Sequence, residues 1–261
     1  MFIISRYINF YKKNGLVKTL TKIILTPYRF FEKNLYKRKK RLIFSKIDKK
    51  EKFDLIYKKN FWSSKESVSG LGSELKNTIN LRNELTKIFK EFKFNKILDA
   101  PCGDFNWIRF IIKDDIEYLG GDIVDDLISN NEKKYKSKNI NFTKLDITKD
   151  NIPDSDLMIC RDCLIHLSYE SINSFISNFR KSKIDYLLLT NYELKNNNIE
   201  FINIDIPDGE FREIDLSKKP FNFPEPIRKI KDKDEQTIQS GFNCYMNLYS
   251  KKQILDLSTD L

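Results

Sequence analysis

The run Lys96-Ile97-Leu98-Asp99-Ala100-Pro101-Cys102-Gly103-Asp104-Phe105-Asn106-Trp107 constrains the fold more than any other part of the chain. A short apolar strand closes on a carboxylate and passes through a tight turn into an expected helix, which is how an α/β sheet builds a ligand cradle. A second strand-like run, Glu117-Tyr118-Leu119-Gly120-Gly121-Asp122, follows at the spacing of a strand-helix-strand unit and ends on another carboxylate, 23 residues beyond Asp99. Two such carboxylates suit a neutral or cationic nucleoside better than a phosphorylated one. A dinucleotide site would need G-x-G-x-x-G, so that backbone N–H groups could approach a pyrophosphate. Those positions hold Pro101, Gly103 and Asn106. Pro101 has no N–H to offer and Asp104 would put negative charge beside the phosphates, which argues against NAD.

Further strand candidates alternate with helical stretches: Asn141 to Leu145, Leu157 to Cys160 and Tyr186 to Asn191. Short apolar runs at this spacing read as a doubly wound parallel sheet with buried central strands. Near the C-terminus, Glu210-Phe211-Arg212-Glu213-Ile214-Asp215-Leu216 and Cys244-Tyr245-Met246-Asn247-Leu248-Tyr249 flank a proline-containing turn region and are expected to pair antiparallel at the sheet edge.

The first run, with Asp122 closing the second strand, resembles motif I of the class I S-adenosylmethionine-dependent methyltransferases, in an Asp-x-Pro-Cys-Gly form found in bacterial members. Phe142 to Ile147 resembles their third strand and the loop bordering adenine, and Asp156 to Leu167 their fourth strand and its loop; the likeness covers about residues 53 to 257. It implies a Rossmann-like, doubly wound, mainly parallel seven-stranded sheet with an antiparallel C-terminal strand pair, and S-adenosyl-L-methionine as cofactor. The usual loop is Gly-x-Gly-x-Gly; here Pro101 and Phe105 replace the outer glycines and only Gly103 remains.

On this resemblance Asp99, Ala100, Pro101, Gly103 and Trp107 would border the methionine part of the cofactor, with Asp99 orienting the loop and attracting the ammonium. A side chain at Gly103 would occupy the ligand's space. Asp122 would accept hydrogen bonds from both ribose hydroxyls, beside Ile123, while Asp146 and Ile147 would flank adenine. Arg161 would contact the cofactor or, like Arg212, hold an anionic group of the acceptor. His166, with a pKa suited to proton removal near neutrality, or Asp162 in its place, would act as general base. Trp62, Ser69 and Gly70 lie in a small-residue loop before the motif that could close over the ligand, with Trp62 reaching the substrate.

Charge divides the 261-residue chain unevenly. Residues 1–50 hold fifteen Lys/Arg against two Asp/Glu, a net +13, and the other 211 residues carry −3. Three parts are therefore expected: a basic amphipathic arm over 1–50, a helical lid segment over 51–95 and a catalytic domain over 96–261. Apolar positions 16, 20, 23 and 24 share a helical face, and Lys37-Arg38-Lys39-Lys40-Arg41 follows. Such a pairing suits peripheral contact with an anionic membrane face; nucleic acid contact and packing on the chain's own domain are the other readings.

The four cysteines, Cys102, Cys160, Cys163 and Cys244, are too scattered for a disulfide framework, which fits a reducing cytoplasm. Cys160 and Cys163 form a C-x-x-C with no second pair and a single histidine, so no metal site is expected. No window approaches the ~20 apolar residues of a membrane-spanning helix. The fourth-strand loop lacks the Asn/Asp-Pro-Pro-Tyr/Phe of base-amino methyltransferases, which favours the hydroxyl of a small molecule or glycan as methyl acceptor. An RNA methyltransferase gripping phosphates through the arm, and a non-catalytic cofactor-binding scaffold, are the alternatives.

Overall fold

The computed structural model describes residues 15, 44, 46–196, 198–233 and 241–257. The amphipathic helix and basic cluster expected within residues 1–50, and the membrane or nucleic acid contact read from them, lie outside the described residues. Lys49–Leu261 forms one compact unit. Among the described residues no helix is long and apolar enough to cross a membrane.

The unit is built on a seven-stranded sheet: β1 (Lys96–Asp99), β2 (Glu117–Asp122), β3 (Ile140–Lys144), β4 (Leu157–Cys160), β5 (Tyr186–Leu194), β6 (Arg228–Lys231) and β7 (Phe242–Ser250). The strand order is β3-β2-β1-β4-β5-β7-β6. The first five strands pair in parallel, and β7 runs antiparallel to both β5 and β6. This is the Rossmann-like doubly wound sheet expected from the sequence, closed by an antiparallel C-terminal pair.

The central strands are apolar throughout because both faces are covered. Ile97, Leu157, Ile159 and Leu188 face one layer, with Leu81, Leu85, Ile88 and Phe89 of helix α2 (Ile79–Glu91). Leu98, Met158, Cys160, Leu187 and Leu189 face the other, with helix α4 (Tyr169–Lys181). Helix α4 buries Ile172, Phe175, Ile176 and Phe179, the i, i+3, i+4, i+7 stripe of an amphipathic helix. Ser168 caps its N-terminus by accepting from the Ser171 N–H. Helices α1 (Lys49–Lys58), α3 (Asp125–Tyr135) and α5 (Lys251–Leu255) complete the unit.

Two local expectations are corrected. The turn after β1 does not open an α-helix: only a one-turn 3₁₀ helix, Ile108–Phe110, stands between β1 and β2. Gly103 and Phe105 hold φ of +55° and +57°, which α-helical backbone excludes, and Phe105, Trp107, Ile108 and Ile111 are buried as a compact apolar loop. The segment Glu210 to Leu216 is not a strand either; the antiparallel partner of β7 at the edge is β6. Ile214 and Leu216 are buried, as a strand pattern would have them, but the segment's backbone bonds run to separate places. The Arg212 N–H donates to Ile165 O, the Tyr192 N–H donates to Ile214 O, and the Leu216 N–H donates to Asn191 Oδ1.

Gly120 and Gly121 in β2 are set by packing. A Cβ on Gly121 would lie 2.8 Å from Leu145 Cδ2, 3.0 Å from Leu145 Cβ and 3.3 Å from Ala100 Cβ. Gly121→Ala is expected to destabilise the unit by about 1–3 kcal/mol through overpacking, read as a lowered urea midpoint at unchanged slope.

Candidate active site

The strand order reverses between β1 and β4, and a crevice opens beyond the carboxyl ends of the strands at such a switch point. A cavity of ≈ 380 Å³ lies there, a volume that holds a small molecule. Residues just beyond β1 to β4 line it, together with the Trp62–Ser73 segment and side chains of α1.

Asp122 ends β2, and its carboxylate ties two segments together. Oδ2 accepts from the Gly103 N–H at 3.2 Å and Oδ1 from the Val124 N–H at 3.1 Å. Burial pushes the carboxyl up to about 6, against the downward pull of these backbone donors. Asp99 ends β1 and is also buried; the Tyr118 hydroxyl donates to its Oδ2 at 2.8 Å. Burial raises this carboxyl to about 7. The loop is thus oriented by Asp122, not by Asp99 as expected.

Asp104, read in the sequence only as a barrier to phosphate, anchors the segment preceding the sheet. Its Oδ1 accepts from Ser67 Oγ at 2.9 Å and Ser69 Oγ at 3.3 Å, and its Oδ2 from the Val68 N–H at 3.0 Å. In return Ser69 Oγ accepts from the Asp104 N–H. This places residues 64–70 over the turn after β1. It also corrects the reason for Gly103: a Cβ there would collide with Ser69 Oγ, so the glycine is demanded by the overlying segment.

Beyond β3, Asp146, Ile147 and Thr148 form one wall. Asp146 Oδ1 accepts from Lys49 Nζ at 2.8 Å and from the backbone and hydroxyl of Thr148. Burial acts the other way, but these partners hold its carboxyl below the usual range. Lys49 also reaches Thr148 Oγ1. Oδ1 is therefore committed within the protein, and a ligand amine would have to use Oδ2.

Beyond β4 the floor is ionic. Arg161 is buried: its Nε donates to Asp232 Oδ2 at 3.0 Å and its Nη2 to Asp232 Oδ1 at 3.1 Å, a two-pronged pair, and Nη2 also donates to Gly72 O at 2.8 Å. The guanidinium lies 5.2 Å from the Trp107 ring centre. Asp162 sits beside it at φ +52°, a conformation that Asp tolerates better than most residues. Its backbone N–H donates to Thr190 Oγ1, and its Oδ1 accepts from buried Lys233 Nζ at 2.7 Å. Against the upward push of burial, Lys233 and Arg161 hold the Asp162 carboxyl well below the usual range. This removes Asp162 as a base near neutral pH. Arg161 lines the cavity; its Nε and Nη2 are committed to Asp232 and Gly72, and its Nη1 donates to Ser73 Oγ at 3.4 Å.

His166 stands at the far wall. Its Nδ1 lies 2.7 Å from Glu210 O. A carbonyl only accepts, so Nδ1 carries the proton in the neutral ring and the basic lone pair is on Nε2. The Trp62 ring lies 5.4 Å and the Phe211 ring 5.8 Å from it between ring centres, both tilted.

The cavity thus brings together Trp62, Ser69, Gly70, Asp99, Pro101, Gly103, Trp107, Asp122, Ile123, Asp146, Ile147, Arg161, Asp162 and His166 of the expected residues. Two expected residues stand outside it. Ala100 faces the core, where its backbone N–H donates to Ile159 O. Arg212 is buried against Tyr169 and donates to Leu167 O, because the segment carrying it follows a loop path instead of an edge strand. Sequence reasoning missed Lys49, Tyr192, Glu213, Asp232 and Lys233. The last two fall in a Lys/Asp-rich run that reads as a solvated face, and no local signal separates them from it.

No protein-family model and no curated protein matches this chain. Among solved structures, the methyltransferase domain of bacterial CtHen1 aligns with a TM-score of 0.48 at 12% identity, over 68% of this chain and 100% of that one. TehB from Haemophilus influenzae aligns at 0.46 and 16% identity, over 64% and 61%. Magnesium protoporphyrin IX methyltransferase from Synechocystis PCC 6803 with bound SAH aligns at 0.46 and 12% identity, over 65% and 82%.

Asp104→Ala is expected to release the overlying segment. Amide hydrogen exchange at Val68 should speed by an order of magnitude or more, while amides of β4 and β5 keep their protection.

Proposed function

We propose that this chain is an S-adenosylmethionine-dependent methyltransferase acting on a hydroxyl of a small molecule or glycan. The observation that carries this reading is Asp122: a buried carboxylate at the end of the second strand, one strand from the turn it holds, with the Gly103 N–H on one oxygen, the Val124 N–H on the other, and the Ile123 N–H also favouring its charge. An ionised carboxylate has about four lone-pair positions, more than these backbone donors fill, so it keeps acceptor capacity for a ribose hydroxyl. The same cavity supports the rest of the nucleoside: Ile123, Leu127, Leu145 and Ile147 offer an apolar wall for adenine, with Asp146 Oδ2 at its edge. Asp99 supplies buried negative charge for the methionine ammonium.

When bound, the cofactor supplies an electrophilic sulfonium methyl group. The protein's part is to hold the acceptor oxygen and to take its proton, and His166 Nε2 is the group oriented for that, since Glu210 O fixes the tautomer. General-base assistance is worth about 10² to 10⁴ in rate, whereas alignment of the reacting groups supplies roughly 7–11 kcal/mol, so positioning outweighs the base.

Calorimetric titration with S-adenosylmethionine tests the reading. The wild-type protein should bind, and Asp122→Ala should lose binding at micromolar ligand, because charge-assisted hydrogen bonds are worth about 1.5–3 kcal/mol each. Equal affinity in the variant would overturn the assignment. The bound form requires Asp122 and Asp99 ionised, and burial holds them up to about 6 and about 7. Binding near neutrality should therefore release protons, and affinity should climb as pH rises between about 5 and 8, then level off. His166→Ala should slow methyl transfer about 10² to 10⁴-fold with S-adenosylhomocysteine affinity unchanged; full activity would exclude the base role.

A further inference from the structure

We infer that the acceptor carries a cationic amine beside its hydroxyl, and that Glu213, Trp62 and Phe211 form the subsite that receives it; this rests on the methyltransferase reading above. The charges at this end of the cavity decide it. Arg161 is neutralised by Asp232 and Lys233 by Asp162, each in direct contact. Glu213 also lines the cavity, and its Oε1 is buried with no hydrogen-bond partner. Among the described residues no lysine or arginine pairs with it. Oε1 faces the protein interior, so a ligand would meet the part of the carboxylate that lines the cavity, and a carboxylate with no donor of its own favours a ligand N–H group there.

The surrounding surface fits the same ligand. Trp62 and Phe211 both contact the His166 ring, and Tyr192 meets Phe211 edge-on at 6.5 Å. Phe211 is 46% exposed and Leu71 is 53% exposed, although both line the cavity, so its rim presents large apolar groups to whatever enters. Aromatic faces beside an uncompensated carboxylate attract a cation. An anionic acceptor would meet the Glu213 carboxylate unpaired, and a neutral one would leave it without a counter-charge. Because the rings also contact His166, the amine and the hydroxyl to be methylated belong to one compact molecule.

Three phenols that differ only in side-chain charge test this: tyramine (cationic), p-cresol (neutral) and 4-hydroxyphenylacetate (anionic). Each is titrated calorimetrically into protein saturated with S-adenosylhomocysteine. The proposal expects tyramine to bind about tenfold or more tightly than p-cresol, and the anion to bind weakest. Glu213→Gln should erase the preference for tyramine, and Glu213→Lys should shift it to 4-hydroxyphenylacetate, both with unchanged S-adenosylhomocysteine affinity, which also reports an intact fold. Equal binding of the three phenols, no binding of tyramine at millimolar concentration, or a preference that survives Glu213→Gln would each overturn the proposal. Failure of the wild-type protein to bind S-adenosylhomocysteine would instead overturn the methyltransferase reading.

Discussion

Asp122 is a buried carboxylate that pairs with no cation among the described residues, and the site depends on how that charge is kept. Backbone N–H groups from different chain segments stabilise it, so the end of β2 is joined to the turn after β1 through Gly103 and to the approach to α3 through Ile123 and Val124. Burial opposes ionisation and the amide donors favour it; the balance leaves a carboxyl that titrates within reach of neutral pH. The link continues outward. Gly103 precedes Asp104, whose carboxylate gathers Ser67, Val68 and Ser69 above the turn. Strand end, turn and cover are thus fastened by two carboxylates on either side of one glycine, and that glycine holds a positive φ under a serine hydroxyl.

The ionic floor answers a different requirement. Arg161 follows β4 and Asp232 follows β6, strands separated in the sheet by β5 and β7. A buried pair of this kind contributes little net stability, because desolvation offsets much of the attraction, but loss of either partner strands the other charge. Its effect is to fix where the segment after the edge strand meets the crevice. Lys233 is thereby set against Asp162 and the Tyr192 hydroxyl, at 2.7 and 3.2 Å. Arg161 and Lys233 are held by Asp232 and Asp162, whereas Arg212 lies away from the cavity, donating through Nη1 to Leu167 O with its Nε and Nη2 buried and unpartnered among the described residues.

The parts of the fold that could be read in the sequence are those whose cause is local. The strand from Leu157 to Cys160 was legible because a strand buried on both faces must be apolar at every position, and Asp99 and Asp122 because a carboxylate closing such a run has few structural reasons to be there. Helix α4 shows its stripe at the proper spacing. What could not be read depends on contacts distant in sequence. Asp232 and Lys233 look like their charged neighbours until β6 carries them to β4. Asp104 looks like an obstacle to a ligand until the segment some 35 residues earlier folds over it. In Glu210 to Leu216 the alternation was real but misleading: Ile214 and Leu216 are buried by packing against β5 and its surroundings without joining a ladder.

That last segment explains how a chain with one histidine orients it. Glu210 O fixes Nδ1, the Gly209 N–H donates to His166 O, and the Arg212 N–H donates to Ile165 O, so the loop grips the histidine turn by backbone and side chain together. Asp208 and Asp205, earlier in the loop, accept from the Ser168 and Tyr169 N–H groups at the start of α4, where a helix leaves donors unpaired and favours negative charge. An edge strand in this place would have spent its backbone on β7. By running as a loop, the chain uses the same groups to brace the β4–α4 connection, and it brings Phe211 and Glu213 to the cavity as a consequence of that path. The orientation of the His166 ring and the positions of Phe211 and Glu213 on the cavity wall are therefore set by one segment, so a change in its path would alter both together.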